Sequence, residues 1–164
     1  MPSLMRSLIV YYSYSGNTKK VSEQLCEQLR QKGQGDIIEL KAQDESESFF
    51  GQCRRAFRHT RAKIAPVNCN PGDYDLICFG SPVWAFAPAP AMNTYLGQAQ
   101  NIQDKKIVLF TTYGSGTGNN RCLNYMRRIL TEKGAKNFKR FSIQQSKVSD
   151  RDFVSAQIQA TLSQ

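Results

Sequence analysis

The sequence lacks Cys-x-x-C pairs, apolar runs longer than a β-strand and a recognisable signal-peptide pattern. Its five cysteines are widely spaced and odd in number, which argues against a zinc site or a redox dithiol. The short apolar runs exclude a membrane-spanning helix. The first residues have neither the apolar core nor the cleavage site of a signal peptide. We therefore expect a cytoplasmic protein with no membrane span and no bound metal.

Length and charge indicate the number of domains and the kind of partner. At 164 residues the chain has the length of one domain, and residues 1–164 are predicted to form it. The net charge of +9 implies attraction to anions, which include nucleic acids, dinucleotides and acidic proteins. Nucleic-acid binding is the least supported of these, because the sequence offers no groove-entering motif and no aromatic residues interleaved with the basic ones.

Hydrophobic periodicity predicts strands and helices in alternation. Four apolar runs suit buried strands, and a fifth, which alternates with polar residues, suits a sheet edge: residues 7–13, 36–40, 76–80, 107–112 and 138–143. Apolar residues at helical spacing fill the gaps: Val21, Leu25 and Leu29; Met92, Tyr95, Leu96 and Ala99; Leu123, Met126 and Leu130; Phe153, Val154, Ile158 and Leu162. This pattern predicts a three-layer α/β sandwich, with a five-stranded parallel sheet of order 2-1-3-4-5 and helices on both faces.

In such sheets ligands bind beyond the carboxyl ends of the strands, at the switch point between strands one and three. The loop after strand one comprises Ser13, Tyr14, Ser15, Gly16, Asn17 and Thr18. Its backbone amides and the N-terminus of the next helix predict an anion site, to which hydroxyl groups add donors. Because the loop has no Lys or Arg, dipoles would have to hold a phosphate. The alternative is an ordinary helix N-cap, which needs only one such residue.

Several phosphate-handling families are excluded by what the sequence does not contain. The first loop has neither the cysteine nucleophile nor the arginine of a low-molecular-weight phosphatase. Strands one and three end without the acidic residues of a response-regulator receiver. No Gly-Lys pair precedes Ser or Thr, so there is no P-loop.

The loop after strand three contains the only tryptophan, in the segment Ser81, Pro82, Val83, Trp84 and Ala85. An indole on a proline-stiffened loop at the switch point is a good stacking platform for a flat heterocycle. The alternative is that Trp84 only covers the core, and its position favours ligand contact.

The loop after strand four is rich in glycine and contains Thr112, Tyr113, Gly114, Ser115, Gly116 and Gly118. Its spacing and its place after the fourth strand argue against a Rossmann dinucleotide fingerprint. A flavin fits better, because the amides of Gly114, Ser115 and Gly118 could donate to its pyrimidine oxygens.

Together the three loops resemble the flavodoxin-like family of FMN proteins, with the motifs in the family's order over nearly the whole chain. Residues 13–18 are similar to its phosphate loop, residues 81–84 to its isoalloxazine-stacking loop, and residues 112–116 to the loop at the pyrimidine edge. The resemblance implies bound FMN. The uninterrupted fifth strand is similar to that of the short-chain branch.

The charge departs from the family pattern, since its electron carriers are typically acidic. Neither flavin-contacting loop carries an acid here, so we expect the reduced, anionic flavin to form more easily than in acidic members. Positive charge concentrates in a predicted helix that includes Arg54, Arg55, Arg58, Arg61 and Lys63. A solvated basic face is the simpler interpretation, and a docking patch for an anionic donor is the functional one.

Two functions remain. The first is an NAD(P)H-linked oxidoreductase that reduces a quinone, a flavin or another small acceptor through FMN, and the basic charge and the apolar segment 85–87 favour it. The second is a non-enzymatic electron carrier that docks on redox partner proteins, favoured by the short chain. No residue is assigned a catalytic role, because the cofactor carries the chemistry.

Overall fold

The computed structural model describes residues 3–43, 51, 54, 61–114 and 116–164. In this part of the chain the strands are β1 (Met5–Tyr11), β2 (Gly33–Glu39), β3 (Leu76–Trp84), β4 (Ala87–Pro88), β5 (Lys106–Tyr113) and β6 (Asn137–Gln144). The α-helices are α1 (Asn17–Arg30), α2 (Pro90–Gln98), α3 (Asn119–Glu132) and α4 (Arg151–Ser163). Short 3₁₀ turns lie at Pro71–Asp73 and Gln145–Lys147.

The main sheet has the predicted topology. Its described strands run in the order β2-β1-β3-β5-β6, and every pairing among them is parallel. With the short β4 left out of the count, this is the order 2-1-3-4-5, and the weakly patterned last strand lies at an edge as expected. The additional β4 pairs antiparallel with the end of β3. The α/β three-layer prediction is therefore confirmed.

The two faces of the sheet bury separate apolar clusters. One face packs against α2 and α3 through residues such as Met92 and Met126. The other packs against α1 and α4 through residues such as Leu25 and Ile158. The predicted helical stripes point into these clusters, except that Phe153 is exposed and Leu162 is only partly buried. Each helix thus covers the sheet with the face that the 3.6-residue period predicted.

The second strand begins three residues earlier than its apolar run indicated, at Gly33. A Cβ atom at this position would overlap the backbone carbonyl of Met5, its partner on β1. Glycine therefore permits a close strand approach here, although in the sequence it marks the end of a helix. The strand starts where the backbone can pair, not where the apolar side chains start.

The centre of the sheet depends on a close contact between β3 and β5. Gly80 pairs with Phe110, and a Cβ atom at Gly80 would overlap the Phe110 ring. That ring also stacks on Phe141 of β6, with centroids 5.3 Å apart and planes 6° apart. The missing side chain at Gly80 thus makes room for an aromatic pair that ties three strands together.

No helix within the described ranges is long and apolar enough to cross a membrane. The basic helix predicted between strands two and three lies largely outside the described residues, including Arg55 and Arg58. Arg54, Arg61 and Lys63 are described.

We expect Gly80→Ala to lower the free energy of unfolding by about 1–3 kcal/mol, because the added methyl group must displace the Phe110 ring. Chemical denaturation measures this. Gly114→Ala is the matched control, since its Cβ would lie 3.4 Å from the nearest atom, in the flexible side chain of Gln145. Equal stability changes in the two variants would contradict the packing argument.

Candidate functional site

A cleft of about 470 Å³ opens at the carboxyl ends of β1, β3 and β5. The side chains and backbone that line it are those of Tyr14, Ser15, Asn17, Pro82, Val83, Trp84, Ala85, Thr112, Tyr113, Gly114 and Gln145. All but Gln145 were predicted from the sequence, and they come from all three predicted loops. None of these lining residues is Asp, Glu, His, Lys or Arg, so the cleft wall is formally neutral.

The first loop leads into α1. Gly16 is the N-cap residue of this helix, with a left-handed φ of 90°, and it has no side chain to accept from the first amides. Ser13 Oγ accepts a hydrogen bond from the Lys19 amide at 3.2 Å. The amides of residues 15–18 have no acceptor within the part of the chain that the structure describes. Free amides at a helix N-terminus are donors for an anion, as the sequence predicted.

The third loop repeats this arrangement. Gly118 is the N-cap of α3, again with φ of 90° and without a capping side chain. Gly16 and Gly116 both have positive φ, and a Cβ atom at either would meet no atom within 4 Å among the described residues. Glycine therefore allows the left-handed backbone conformation at both positions, and the space beside these two glycines is open to a ligand.

Trp84 is more enclosed than its predicted stacking role implied, with 5% of its surface exposed. The rings of Tyr12 and Tyr14 form T-shaped contacts with it, at centroid distances of 5.7 and 5.5 Å and at interplanar angles of 83° and 82°. Tyr14 is 46% exposed, so it presents more aromatic surface to solvent than the indole does. The aromatic wall of the cleft is thus a Tyr14–Trp84 unit, and stacking on it stays a prediction.

The segment expected to be a proline-stiffened loop is a tight hairpin. β3 continues to Trp84, which pairs with Ala87, and the turn consists of Ala85 and Phe86. Both have positive φ, 46° and 67°, as the type I′ turn of a two-residue hairpin requires. This conformation costs a non-glycine residue about 1–2 kcal/mol. It projects Phe86 over Gly118, where a Cβ atom would overlap the ring.

A buried hydrogen bond joins the first and third loops. Thr18 Oγ1 and Thr112 Oγ1 lie 2.8 Å apart, and both residues are almost completely buried. Thr18 was predicted to add a donor to the phosphate site. Its hydroxyl forms a hydrogen bond with that of Thr112, which fixes the start of α1 to the end of β5, and its role toward a phosphate stays a prediction.

Other predicted site residues lie outside the cleft wall. Ser81 is fully buried, its Oγ donating to the Pro82 carbonyl and accepting from the Ala89 amide, so it joins β3 to the start of α2. Gly118 lies beneath Phe86. Ser115 is outside the described residues. The roles assigned to these residues stay predictions.

Gln145 lines the cleft but was not predicted. It follows β6 directly, at the same edge of the sheet as the three loops. The neighbouring Gln144 donates through Nε2 to the Gly114 carbonyl at 3.2 Å, so this segment also supports the third loop. Applying the carboxyl-end rule to the last strand as well would have identified it.

Comparison with known families identifies the family to which the chain belongs. A family model described as flavodoxin matches residues 6–156. The chain belongs to the flavodoxin family. This confirms the resemblance seen in the three motifs and makes the chain a flavodoxin-like flavoprotein. No curated protein matches the sequence.

Solved structures share the fold over nearly the whole chain. A flavoprotein from Lactobacillus acidophilus in complex with FMN is 23% identical, with a TM-score of 0.64 over 90% of this chain and 99% of that one. Oxidised flavodoxin 1 from Bacillus cereus is 15% identical, with a TM-score of 0.61 over 94% and 97%. An NADH:FMN oxidoreductase in its apo form is 17% identical, with a TM-score of 0.67 over 96% and 86%. At these identities the similarity establishes the fold.

We expect Thr18→Val and Thr112→Val each to destabilise the protein by about 1–3 kcal/mol, because each leaves one buried hydroxyl without a partner. The double variant should lose less than the sum of the two single losses. Urea denaturation of the four proteins gives the coupling free energy. Strict additivity would show that the two hydroxyls do not stabilise each other.

Proposed function

We propose that the chain binds FMN in the neutral cleft and acts as an NAD(P)H-linked oxidoreductase that reduces small acceptors such as quinones or free flavins. The observation that carries the proposal is the combination in one cleft of uncapped helix amides and an aromatic wall, with no charged side chain on that wall. The solved FMN complex of a similar fold supports the choice of cofactor.

The residues present fit FMN. The free amides of residues 15–18 and the hydroxyl of Ser15 suit a phosphate held by dipoles. Tyr14 and Trp84 offer aromatic surface to a flat ring. The Gly114 amide lies at the third loop, where a pyrimidine edge needs donors. Each end of the cofactor thus has a chemically matched part of the cleft.

The chemistry that bound FMN supplies is two-electron transfer. With FMN bound, the net reaction would move a hydride's two electrons and one proton from the reduced nicotinamide to a quinone, and a second proton from solvent would complete the quinol. The protein's own contribution is to orient the rings and to set the electrostatics. No carboxylate lines the described cleft, so nothing on its wall opposes negative charge near the pyrimidine edge.

Reductase activity is favoured by the surroundings of the cleft. Phe86, next to the lining residue Ala85, is 42% exposed and gives an apolar acceptor a contact surface. The overall charge of +9 attracts anionic nicotinamide dinucleotides. The structural similarity to an NADH:FMN oxidoreductase supports the same activity.

The alternative is an electron carrier that docks on redox proteins. Family membership and the flavodoxin from Bacillus cereus favour it. The exposed rings of Tyr14 and Phe86 at the cleft would then contact the partner protein instead of a small acceptor.

Titration of the apo-protein with FMN should quench the fluorescence of Trp84, the only tryptophan, because the flavin enters the cleft beside it. Riboflavin, which lacks the phosphate, should bind at least about tenfold more weakly, since it cannot use the helix amides. Absence of quenching would refute the FMN site. Equal affinities for FMN and riboflavin would refute the phosphate role of the first loop.

Stopped-flow mixing of the FMN-loaded protein with NADPH or NADH should bleach the flavin absorbance and restore it on addition of a quinone. The comparison is the same mixture with a flavodoxin reductase added, so that electrons can reach the flavin through the reductase. If the flavin is bleached only through the reductase, the carrier function is correct and the oxidoreductase function is wrong.

A further inference from the structure

A second groove lies on the far side of Phe86 from the FMN cleft. It has a volume of about 320 Å³ and is lined by Phe86, Arg121, Asn124, Tyr125 and Arg128. The four residues from α3 follow the spacing i, i+3, i+4 and i+7, so they form one stripe along the helix. Since Ala85 lines the cleft and Phe86 lines the groove, the hairpin turn is the wall between them.

The groove carries cations beside aromatic rings. The Arg121 guanidinium lies 5.7 Å from the centroid of Phe86, and that of Arg128 lies 5.4 Å from the centroid of Tyr125. Both arginines are exposed, and neither forms an ion pair with a carboxylate in the described part of the chain. Tyr125 donates a hydrogen bond to Asn93 Oδ1 at 3.0 Å, which holds its ring in place.

An adjoining groove of about 420 Å³ adds Arg61. A Cβ atom at Gly97 would lie 2.8 Å from the Arg61 guanidinium carbon, so glycine makes room for this cation against α2. Lys133, which also lines this groove, donates hydrogen bonds from Nζ to the carbonyls of Gly97 and Ala99 at 2.8 and 3.2 Å. Glu132 supplies one carboxylate.

The same charges act on Tyr125 from both grooves. Burial raises the pKa of its phenol, whereas the charges of Arg128 and Arg61 lower it and that of Glu132 raises it. Arg128 lies over this ring, and Arg61, from the connection between β2 and β3, lines the same groove as the ring. Three arginines, Arg61, Arg121 and Arg128, together with Lys133, border the two grooves, whose lining has a single acid.

We propose that these grooves bind the 2′-phosphoadenosine half of NADPH, so that the protein prefers NADPH to NADH. The inference rests on the proposed NAD(P)H-linked activity and names its donor. Arginine suits a phosphomonoester, because its planar fork donates two parallel hydrogen bonds. The exposed ring of Phe86 with Arg121 beside it offers a flat, cationic surface to a base.

The proposed dinucleotide would cross the hairpin from the cleft to the arginines. Arg121 and Arg128 are seven residues apart on α3, which corresponds to about 10 Å along the axis. A ligand that reaches the distal arginines from the FMN cleft must therefore be extended and anionic at its far end. A nicotinamide at the flavin and a 2′-phosphate at Arg128 or Arg61 satisfy both conditions.

The direct test is calorimetric titration of the FMN-loaded protein with adenosine 2′,5′-bisphosphate and with adenosine 5′-monophosphate. We expect the bisphosphate to bind at least about tenfold more tightly, through the additional arginine–phosphate contacts. Arg61→Gln and Arg128→Gln should each reduce this preference. Arg127→Gln is the matched control, because Arg127 is on the same helix but lies over Phe138, 5.3 Å from its ring centroid, and it should keep the preference.

Equal affinities for the two nucleotides would overturn the proposal, and so would equal losses in all three variants. Either result would leave an acidic protein partner or a solvated basic face as the explanation of the arginines. Reduction of the flavin is measured separately. If the bisphosphate preference persists but NADPH does not bleach the flavin, the oxidoreductase function is wrong and the proposed specificity of the grooves stands. If NADPH and NADH bleach the flavin equally and the bisphosphate preference is absent, the oxidoreductase function stands and the proposed specificity is wrong.

Discussion

The contact between the Phe110 ring and Gly80 sets the geometry on which the rest of the structure depends. It brings the two central strands together at their midpoints, and parallel pairing then carries the same register to their carboxyl ends. The hairpin that contains Trp84 begins at the end of β3, and the loop that contains Gly114 begins at the end of β5. A shift between these strands would separate the aromatic wall of the cleft from its backbone donors.

The hairpin turn of Ala85 and Phe86 lies between two regions of different charge. On the side of Ala85 the cleft wall has no charged residue and relies on oriented amides. On the other side the grooves are bordered by arginines. A neutral, dipolar environment suits a flavin whose charge changes during the reaction, and fixed cations suit a phosphate whose charge does not. Phe86 holds this boundary in a strained backbone conformation that its contact with Gly118 accounts for.

Much of the fold was predictable because it depends on patterns that act locally. Apolar runs located the five main strands, and helical stripes such as that of Leu25 located the buried helix faces. The carboxyl-end rule then selected three loops, and ten of the residues named in them line one cleft. Each of these predictions follows from periodicity or from strand direction, and both can be read from a single segment of the chain.

The features that were missed depend on contacts between distant segments. The early start of β2 requires the Met5 carbonyl opposite Gly33. The hairpin turn at Ala85 and Phe86 contains no glycine, so only its packing on Gly118 explains it. The burial of Trp84 results from Tyr12 and Tyr14, and the engagement of Thr18 from Thr112. Donor-rich residues are visible in the sequence, but which hydroxyls remain available to a ligand is decided by tertiary structure.

The neutrality of the cleft wall also determines how binding responds to acidity. Its lining contains no carboxylate, imidazole or amine, and the helix amides do not titrate. A phosphomonoester loses its second proton near a pKa of about 6. In the range between weakly acidic and neutral solution, the proton-dependent part of anion affinity at this cleft therefore belongs to the ligand and not to the protein.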